Sequence, residues 1–431
     1  MKLFLIFMAT LFLISCEDDC TDSNIIQSQP NILLIIADDM GLDATPGYDV
    51  GSIKPNMPVL DSLIMNGLRF ENLWSFPTCT PTRSSIMTGK YGFRIGVTKV
   101  DDELSTEETS LQSYLDENAD ASYNHAVIGK WHLSNDPAHP MGMGVGTYAG
   151  LLTGGVSSYW DWNFTSEGQT NTSTEYTTTK FTDLAIDWID EQDQPWFLWL
   201  AYNAPHKPFH LPPSGLHTQS HLSDDQASID AAPTSYYMAM LEAMDTEIGR
   251  LLKSMSLESL ENTTIIFIGD NGSPGQVAQD YNQHRTKGTV YQGGINVPMV
   301  VSGAQVNRLN ESETALINTT DLFATIANLA GSGITEIHDS QSFAGLLSDG
   351  NSEKRHYVYS EAGHGSNQSD YTIRNSTHKY ISFEDGSESL YDLSDNPLEQ
   401  PDLLRPNQLP LSPTDSLILA ELLIKLDEIR Q

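Results

Sequence analysis

Asn31-Ile32-Leu33-Leu34-Ile35-Ile36-Ala37-Asp38-Asp39 is the stretch whose reading decides the fold. From Ile32 to Ala37 no polar side chain interrupts the run. A strand with one wet face alternates polar and apolar residues, whereas a continuous apolar run reads as a strand covered on both faces, as in a parallel sheet between helical layers. The run then stops at two carboxylates. The same design recurs three times: Ala126-Val127-Ile128 leads into Gly129-Lys130-Trp131-His132, residues 196–202 into Asn203-Ala204-Pro205-His206, and residues 263–268 into Gly269-Asp270-Asn271-Gly272. Sites in open α/β sheets lie beyond the carboxyl ends of such strands, so these four groups can converge although they are far apart in the chain.

Between the apolar runs, residues 57–67, 181–192 and 236–255 read as helices, the last with apolar residues at helical spacing. From about residue 334 the pattern changes to short polar-flanked strands (355–360 and 379–383) and an amphipathic end (416–430). The expected architecture is α/β: a large mixed, mostly parallel sheet sandwiched by helices, followed by a smaller antiparallel sheet plus a helix. A chain of 431 residues exceeds the ~250–300 at which a single core stops growing, which also favours two parts. The expected divisions are 1–16 as an export signal, 17–29 as an acidic tether, 30–333 as the large domain and 334–431 as a C-terminal subdomain. No repeats or low-complexity tracts occur.

The first residues combine a basic start with an apolar run too short to span a bilayer comfortably, the pattern of an export signal. Leu13-Ile14-Ser15-Cys16 resembles the bacterial lipoprotein processing box, in which the Cys becomes the lipidated first residue, and Glu17-Asp18-Asp19 resembles a surface-export tag. The expected location is therefore exported and lipid-anchored, at the outer membrane or cell surface. With Cys16 acylated and Cys79 in a motif of its own, no structural disulfide with Cys20 is expected. The 22 basic and 57 acidic residues leave a net charge of −35, which argues against nucleic acid and against anionic membranes except through the anchor. An anionic substrate would need a locally basic pocket.

Cys79 carries the sharpest signal. A lone Cys is ordinarily a small buried hydrophobe, and a nucleophilic one needs a nearby His or a helix N-terminus; the residue by itself leaves both readings open. Its setting, Cys79-Thr80-Pro81-Thr82-Arg83 followed by Ser84-Ser85-Ile86-Met87-Thr88-Gly89, resembles the signature of the type I, formylglycine-dependent sulfatases of the alkaline-phosphatase-like superfamily. The resemblance implies that a formylglycine-generating maturation enzyme oxidises Cys79 to 3-oxoalanine, whose hydrate carries the attacking hydroxyl, with Arg83 in support. It extends through Gly129-Lys130-Trp131-His132-Leu133, Ala204-Pro205-His206-Lys207-Pro208, Lys287-Gly288 and a tail of Leu390-Tyr391-Asp392-Leu393, Asn396-Pro397 and Glu399. Two departures stand beside these motifs: Gln292-Gly293-Gly294-Ile295-Asn296 lacks the Glu and Arg frequent in that element, and Ser134 replaces a frequent Gly.

Adjacent carboxylates such as Asp38-Asp39 commonly lie in a solvated turn, but here they end an apolar run, as Asp270-Asn271 end another. Three carboxylates and an amide oxygen make a hard oxygen cage for Ca²⁺ or Mg²⁺ rather than Zn²⁺. The resemblance assigns Asp38, Asp39, Asp270 and Asn271 as ligands together with residue 79, and implies Ca²⁺. Lys130, His132, His206 and Lys287 each have an ordinary reading as surface or structural polar residues; the resemblance makes them the group that holds and turns over the sulfate. It implies attack of one formylglycine hydroxyl on sulfur with help from Asp270, protonation of the departing alcohol by His206 with Lys287, and release of sulfate when His132 takes the second hydroxyl's proton.

The expected substrate is a sulfated carbohydrate, from algal polysaccharides such as ulvan, carrageenan or fucan. Within residues 157–164 the aromatics Tyr159, Trp160, Trp162 and Phe164 can stack on sugar rings, although such stretches more often serve packing, and His364 is a further candidate from the smaller part. The rival readings are a phosphate or phosphonate ester hydrolase of the same superfamily and a non-catalytic surface lipoprotein that binds sulfated glycans.

Overall fold

The computed structural model describes residues 29–365, 369–394 and 396–431. The expected export signal and the tether up to residue 28, with Cys16 and Cys20, lie outside the described residues. Ten strands form one sheet: β1 (Asn31–Ala37), β2 (Gly67–Trp74), β3 (Asn124–Lys130), β4 (Thr147–Leu151), β5 (Trp162–Ser166), β6 (Gln169–Ser173), β7 (Trp196–Tyr202), β8 (Thr263–Gly269), β9 (Asn296–Gly303) and β10 (Glu311–Asn318). Their order is β10-β2-β9-β8-β1-β7-β3-β4-β5-β6. The five central strands from β8 to β4 are parallel, with antiparallel pairs toward both edges, which is the mixed, mostly parallel sheet expected.

Strand β1 shows why its sequence has no alternation. Ile32, Leu34 and Ile36 enter one core, against the helices Cys79–Thr88, Leu111–Asn118 and Asp321–Leu329 through Ile86, Leu115 and Phe323. Leu33, Ile35 and Ala37 enter the other, against the helices Pro58–Met65, Thr177–Asp190 and Pro233–Ser254 through Leu60, Phe181 and Met240. Each fully buried Leu or Ile contributes roughly 1.5–3 kcal/mol, so both faces must stay apolar. The four motif-bearing strands β8, β1, β7 and β3 are consecutive neighbours, so their carboxyl ends lie side by side.

The C-terminal part holds the hairpin of β11 (Glu336–Ile337) and β12 (Ser340–Gln341), then the antiparallel sheet β13 (Val358–Gly363), β14 (Ser369–Arg374), β15 (His378–Ser382) and β16 (Glu388–Asp392). The helix Pro413–Arg430 closes the chain, started by Ser412, whose hydroxyl accepts from the Asp415 N–H at 3.1 Å. Phe343, Leu346 and Leu347 pack into the large core, while Tyr359, Ile373, Tyr380 and Leu422 build a separate one around Phe76 and Tyr91. No described helix is long and apolar enough to cross a membrane.

A buried ion pair ties the small sheet to the large one. Lys379 Nζ donates to Glu399 Oε1 at 2.6 Å and to the Val290 carbonyl at 2.7 Å, and Glu399 Oε2 accepts from the Gln292 N–H at 3.0 Å. Burial pulls the Lys379 ammonium down to about 8 against the attraction of Glu399. A pair of this kind is costly to bury and costlier to break, because either partner alone is a stranded charge. Lys379→Met is expected to destabilise the protein by about 3–5 kcal/mol, with Lys379→Met/Glu399→Gln recovering much of that loss; denaturant unfolding of both variants measures it.

Candidate active site at the carboxyl end of the sheet

Residue 79 opens a helix of unusual composition. Every residue from Cys79 to Thr88 is buried although most are polar. The hydroxyls satisfy themselves within the turn: Ser84 Oγ donates to the Pro81 carbonyl, Ser85 Oγ to Thr82 and Thr88 Oγ1 to Ser84, at 2.7–2.9 Å. Pro81 falls in the first turn, where a missing N–H costs nothing, and Gly89 ends the helix in the left-handed conformation at φ 67°. Cys79 and Arg83 are four positions apart, so both side chains leave the same helical face.

That face meets the strand ends. The Cys79 thiol donates to Asp38 Oδ1 at 3.2 Å and lies 3.9 Å from Asp39 Oδ1. Arg83, wholly buried, donates to Asp270 Oδ2 and to the Lys130 carbonyl, both at 2.8 Å. Lys130 Nζ donates to Asp38 Oδ2 and Lys287 Nζ to Asp39 Oδ2, each at 2.6 Å. His206 Nε2 stands 3.8 Å from Asp39 Oδ2. Asn271 Nδ2 donates to Asp39 Oδ1 at 2.8 Å. Nine of the ten residues expected to form the catalytic and metal site therefore lie in one connected cluster; the tenth, His132, pairs its Nε2 with Asp101 Oδ1 at 2.8 Å. His364 lies elsewhere, paired with Asp370 at 3.1 Å.

The electrostatics follow from burial. Burial pushes the Asp38 carboxyl up, but Lys130, His206, Arg83 and Lys287 together hold it well below the usual carboxylate range. Burial and the charge of Asp38 push Asp270 up to about 6 against Arg83 and Lys130. Burial, reinforced by Asp38, holds the Cys79 thiol well above its ordinary value, so it stays protonated. Burial and Lys130 lower His132 to about 3, leaving a neutral ring. Burial likewise lowers His206, opposed by Asp38 and Asp39.

Oxygens of Asp38, Asp39 and Asp270 and the sulfur of Cys79 all lie within 4.8 Å of one another. Asn271 Oδ1 is buried there with no hydrogen-bond partner. A buried orphan acceptor beside three converging carboxylates is the donor set of a hard divalent cation, so these residues fit Ca²⁺ or Mg²⁺. Asp39 (φ 70°) and His132 (φ 55°) hold left-handed backbone, which costs about 1–2 kcal/mol for a residue with a Cβ.

The departures found in the sequence also gain a setting. A Cβ on Gly272 would meet the Gly293 carbonyl at 1.8 Å, so the Gly293-Gly294 turn presses directly on the Asn271 loop. The Gln292 backbone N–H goes to Glu399 and the Asn296 side-chain amide donates to the Glu71 carbonyl at 3.3 Å, while the side-chain oxygens of both residues are buried without a hydrogen-bond partner. Residues that sequence reasoning did not single out for the site are Asp101, which orients His132, and Tyr237, whose hydroxyl donates to the Asp39 carbonyl at 2.7 Å. Neither belongs to a local pattern, and only folding brings them in.

The family model described as Sulfatase matches residues 30–332. Mouse arylsulfatase J is 28% identical over 334 residues, 72% of this chain, and the chain spans 54% of that relative's length. Among solved structures, Ps i-CgsB in complex with k-i-k-neocarrahexaose superposes with a TM-score of 0.77 over 94% of each chain at 23% identity. BT4656 in complex with its substrate D-glucosamine-2-N,6-O-disulfate superposes with a TM-score of 0.76 at 19% identity, covering 94% of this chain and 98% of its own. The two structural likenesses establish the fold, and the family match across most of the chain establishes descent: the chain belongs to the sulfatase family.

Proposed function

We propose that this protein hydrolyses sulfate esters of carbohydrates, with residue 79 oxidised to formylglycine and Ca²⁺ held by Asp38, Asp39, Asp270 and Asn271. One observation carries the reading: a protonated thiol sits inside a cage of carboxylate oxygens. A soft thiol suits neither role open to it there, being a poor ligand for a hard cation and a poor nucleophile while protonated. An oxygen-bearing side chain at the same position suits both. Carbohydrate as the substrate class rests on the two structural neighbours that hold sugars. Among the described residues the one cluster able to hold a metal contains no histidine, which weighs against a two-zinc phosphatase.

When present, the cation supplies Lewis-acid polarisation of the sulfate and of residue 79, and the hydrated aldehyde supplies a hydroxyl for attack on sulfur and a second one for release. The chain's own residues do the rest. Three buried carboxylates face the buried Arg83 and Lys130 and the half-buried Lys287, so a divalent ion leaves the pocket net positive and able to hold a sulfate against the acidic remainder of the molecule. Lys130 and Lys287 are the donors placed to take sulfate oxygens in exchange for carboxylate ones. His206, whose Nδ1 donates to the Lys207 carbonyl at 2.7 Å and whose Nε2 stands beside Asp39, protonates the leaving alcohol from its imidazolium form, with Lys287; His132, turned by Asp101, accepts the proton that frees sulfate. The proposal includes export and lipid anchoring through Cys16, and maturation by a formylglycine-generating enzyme.

Peptide mass spectrometry of protein from its native host should find oxoalanine at residue 79, and Cys79→Ser should give at most one turnover, trapped as a sulfated serine; repeated turnover by that variant overturns the mechanism. His132→Ala should lower kcat by about 10²–10⁴-fold. Asp101→Asn should lower it about 10–100-fold, with KM little changed, in steady-state kinetics. Chelator-treated protein should unfold at lower temperature, and Ca²⁺ at ~100 times its Kd should restore about 2.7 kcal/mol, a response that Asp270→Asn and Asn271→Ala lose. A parallel Mg²⁺ titration identifies the preferred ion.

A further inference from the structure

One loop touches both histidines of the site. After β4 the Leu152 carbonyl accepts from the His132 N–H at 3.0 Å. A Cβ on Gly154 would meet the His132 ring at 2.5 Å, and one on Gly155 the His206 ring at 3.0 Å, so the backbone of this loop lies flat across both. Further on, the Tyr159 hydroxyl bridges the carbonyl oxygens of Asn203 and His206 at 2.8 and 2.6 Å, which fixes the loop to the segment that carries His206. The next residue is Trp160.

Of the aromatic stretch 157–164, the fold sorts packing from display. Tyr159 and Trp162 are buried, whereas Trp160 is 39% exposed and is the only exposed aromatic side chain among the described residues. Its ring is held rather than loose: it leans on Tyr176 at 5.0 Å and 35°, and meets His210 edge-on at 5.0 Å and 77°. Tyr176 and His210 are themselves buried and joined by a 3.0 Å hydrogen bond. The other described Trp, Tyr and Phe side chains are buried or half-buried, and Trp160 alone among them presents its ring to water, from a braced position.

We propose that Trp160 is a stacking platform for a pyranose ring of the sulfated carbohydrate whose sulfate enters the Cys79 pocket. The inference rests on the sulfatase reading and adds the residue that selects sugars over simple aryl esters. Its physical basis is charge as well as shape. With a net charge of −35 the surroundings repel an anionic glycan, so contacts beyond the basic pocket must be uncharged, and a ring face supplies attraction that does not depend on sign. The brace from Tyr159 to His206 sets the platform's height relative to the group that faces the leaving alcohol, the atom through which the sugar is attached.

The test compares formylglycine-bearing wild type with Trp160→Ala and Trp160→Phe on 4-nitrophenyl sulfate and on size-defined carrageenan, ulvan and fucan oligosaccharides. Wild type should turn over the aryl sulfate and at least one oligosaccharide. Trp160→Ala should raise KM for that oligosaccharide about tenfold or more while kcat/KM for the aryl sulfate stays within about twofold, and Trp160→Phe should retain most of the affinity. Equal losses on both substrates would show a merely structural role, and no loss on either, or wild-type turnover of the aryl ester alone, would also overturn the inference. Wild type inactive on every sulfate ester would instead remove the sulfatase reading beneath it.

Discussion

Three carboxylates held within a few ångströms of one another, away from water, are the constraint around which the molecule is arranged. Buried like charges cannot persist without compensation, and here each is answered by a particular cation: Asp38 by Lys130, Asp39 by Lys287 and Asp270 by Arg83. Each of those cations arrives from a different element: the end of β3, the loop before β9 and the helix that residue 79 begins. The parallel centre of the sheet follows from the same need, because only parallel strands bring several carboxyl ends to one edge.

This balance also explains why the residue at the centre is chemically out of place. A cysteine among carboxylates is kept protonated by its burial and by Asp38. Under the proposed reading, oxidation of that thiol would set an oxygen among those of Asp38, Asp39 and Asp270. The buried, largely polar helix behind it, with hydroxyls bonded within the turn and Ile86 and Met87 packed into the core, keeps Cys79 and Arg83 on one face.

Around this centre the fold spends its irregular segments on support. The loop after β4 lies across both histidines, Tyr237 holds the strained backbone of Asp39, and the Gly293-Gly294 turn presses on Asn271. That turn is in turn anchored by Glu399 through the Gln292 N–H, and Glu399 is held by Lys379 from the small sheet. The C-terminal part thus reaches the Asn271 loop through a short chain of hydrogen bonds.

Much of this was legible in the chain. The unalternating run before Asp38 announced a strand with two covered faces, and the four strand-to-polar junctions marked where chemistry would lie, because periodicity and burial are local properties. Helix ends are less legible: the sequence predicts 181–192 where the helix is Thr177–Asp190, since Thr177 and Thr178 are poor helix signals that become buried only through packing. The pairing of Asp101 with His132 and the display of Trp160 beside the buried Tyr159 had no sequence signature. The sequence by itself determined the strand class, the acidic and basic residue types and the cysteine motif, each a matter of neighbours along the chain. Which cation meets which carboxylate, which ring of an aromatic run faces water and which carboxylate turns a histidine were decided by tertiary structure alone, because those contacts join residues tens to hundreds of positions apart and are made only when the sheet order sets its strand ends side by side.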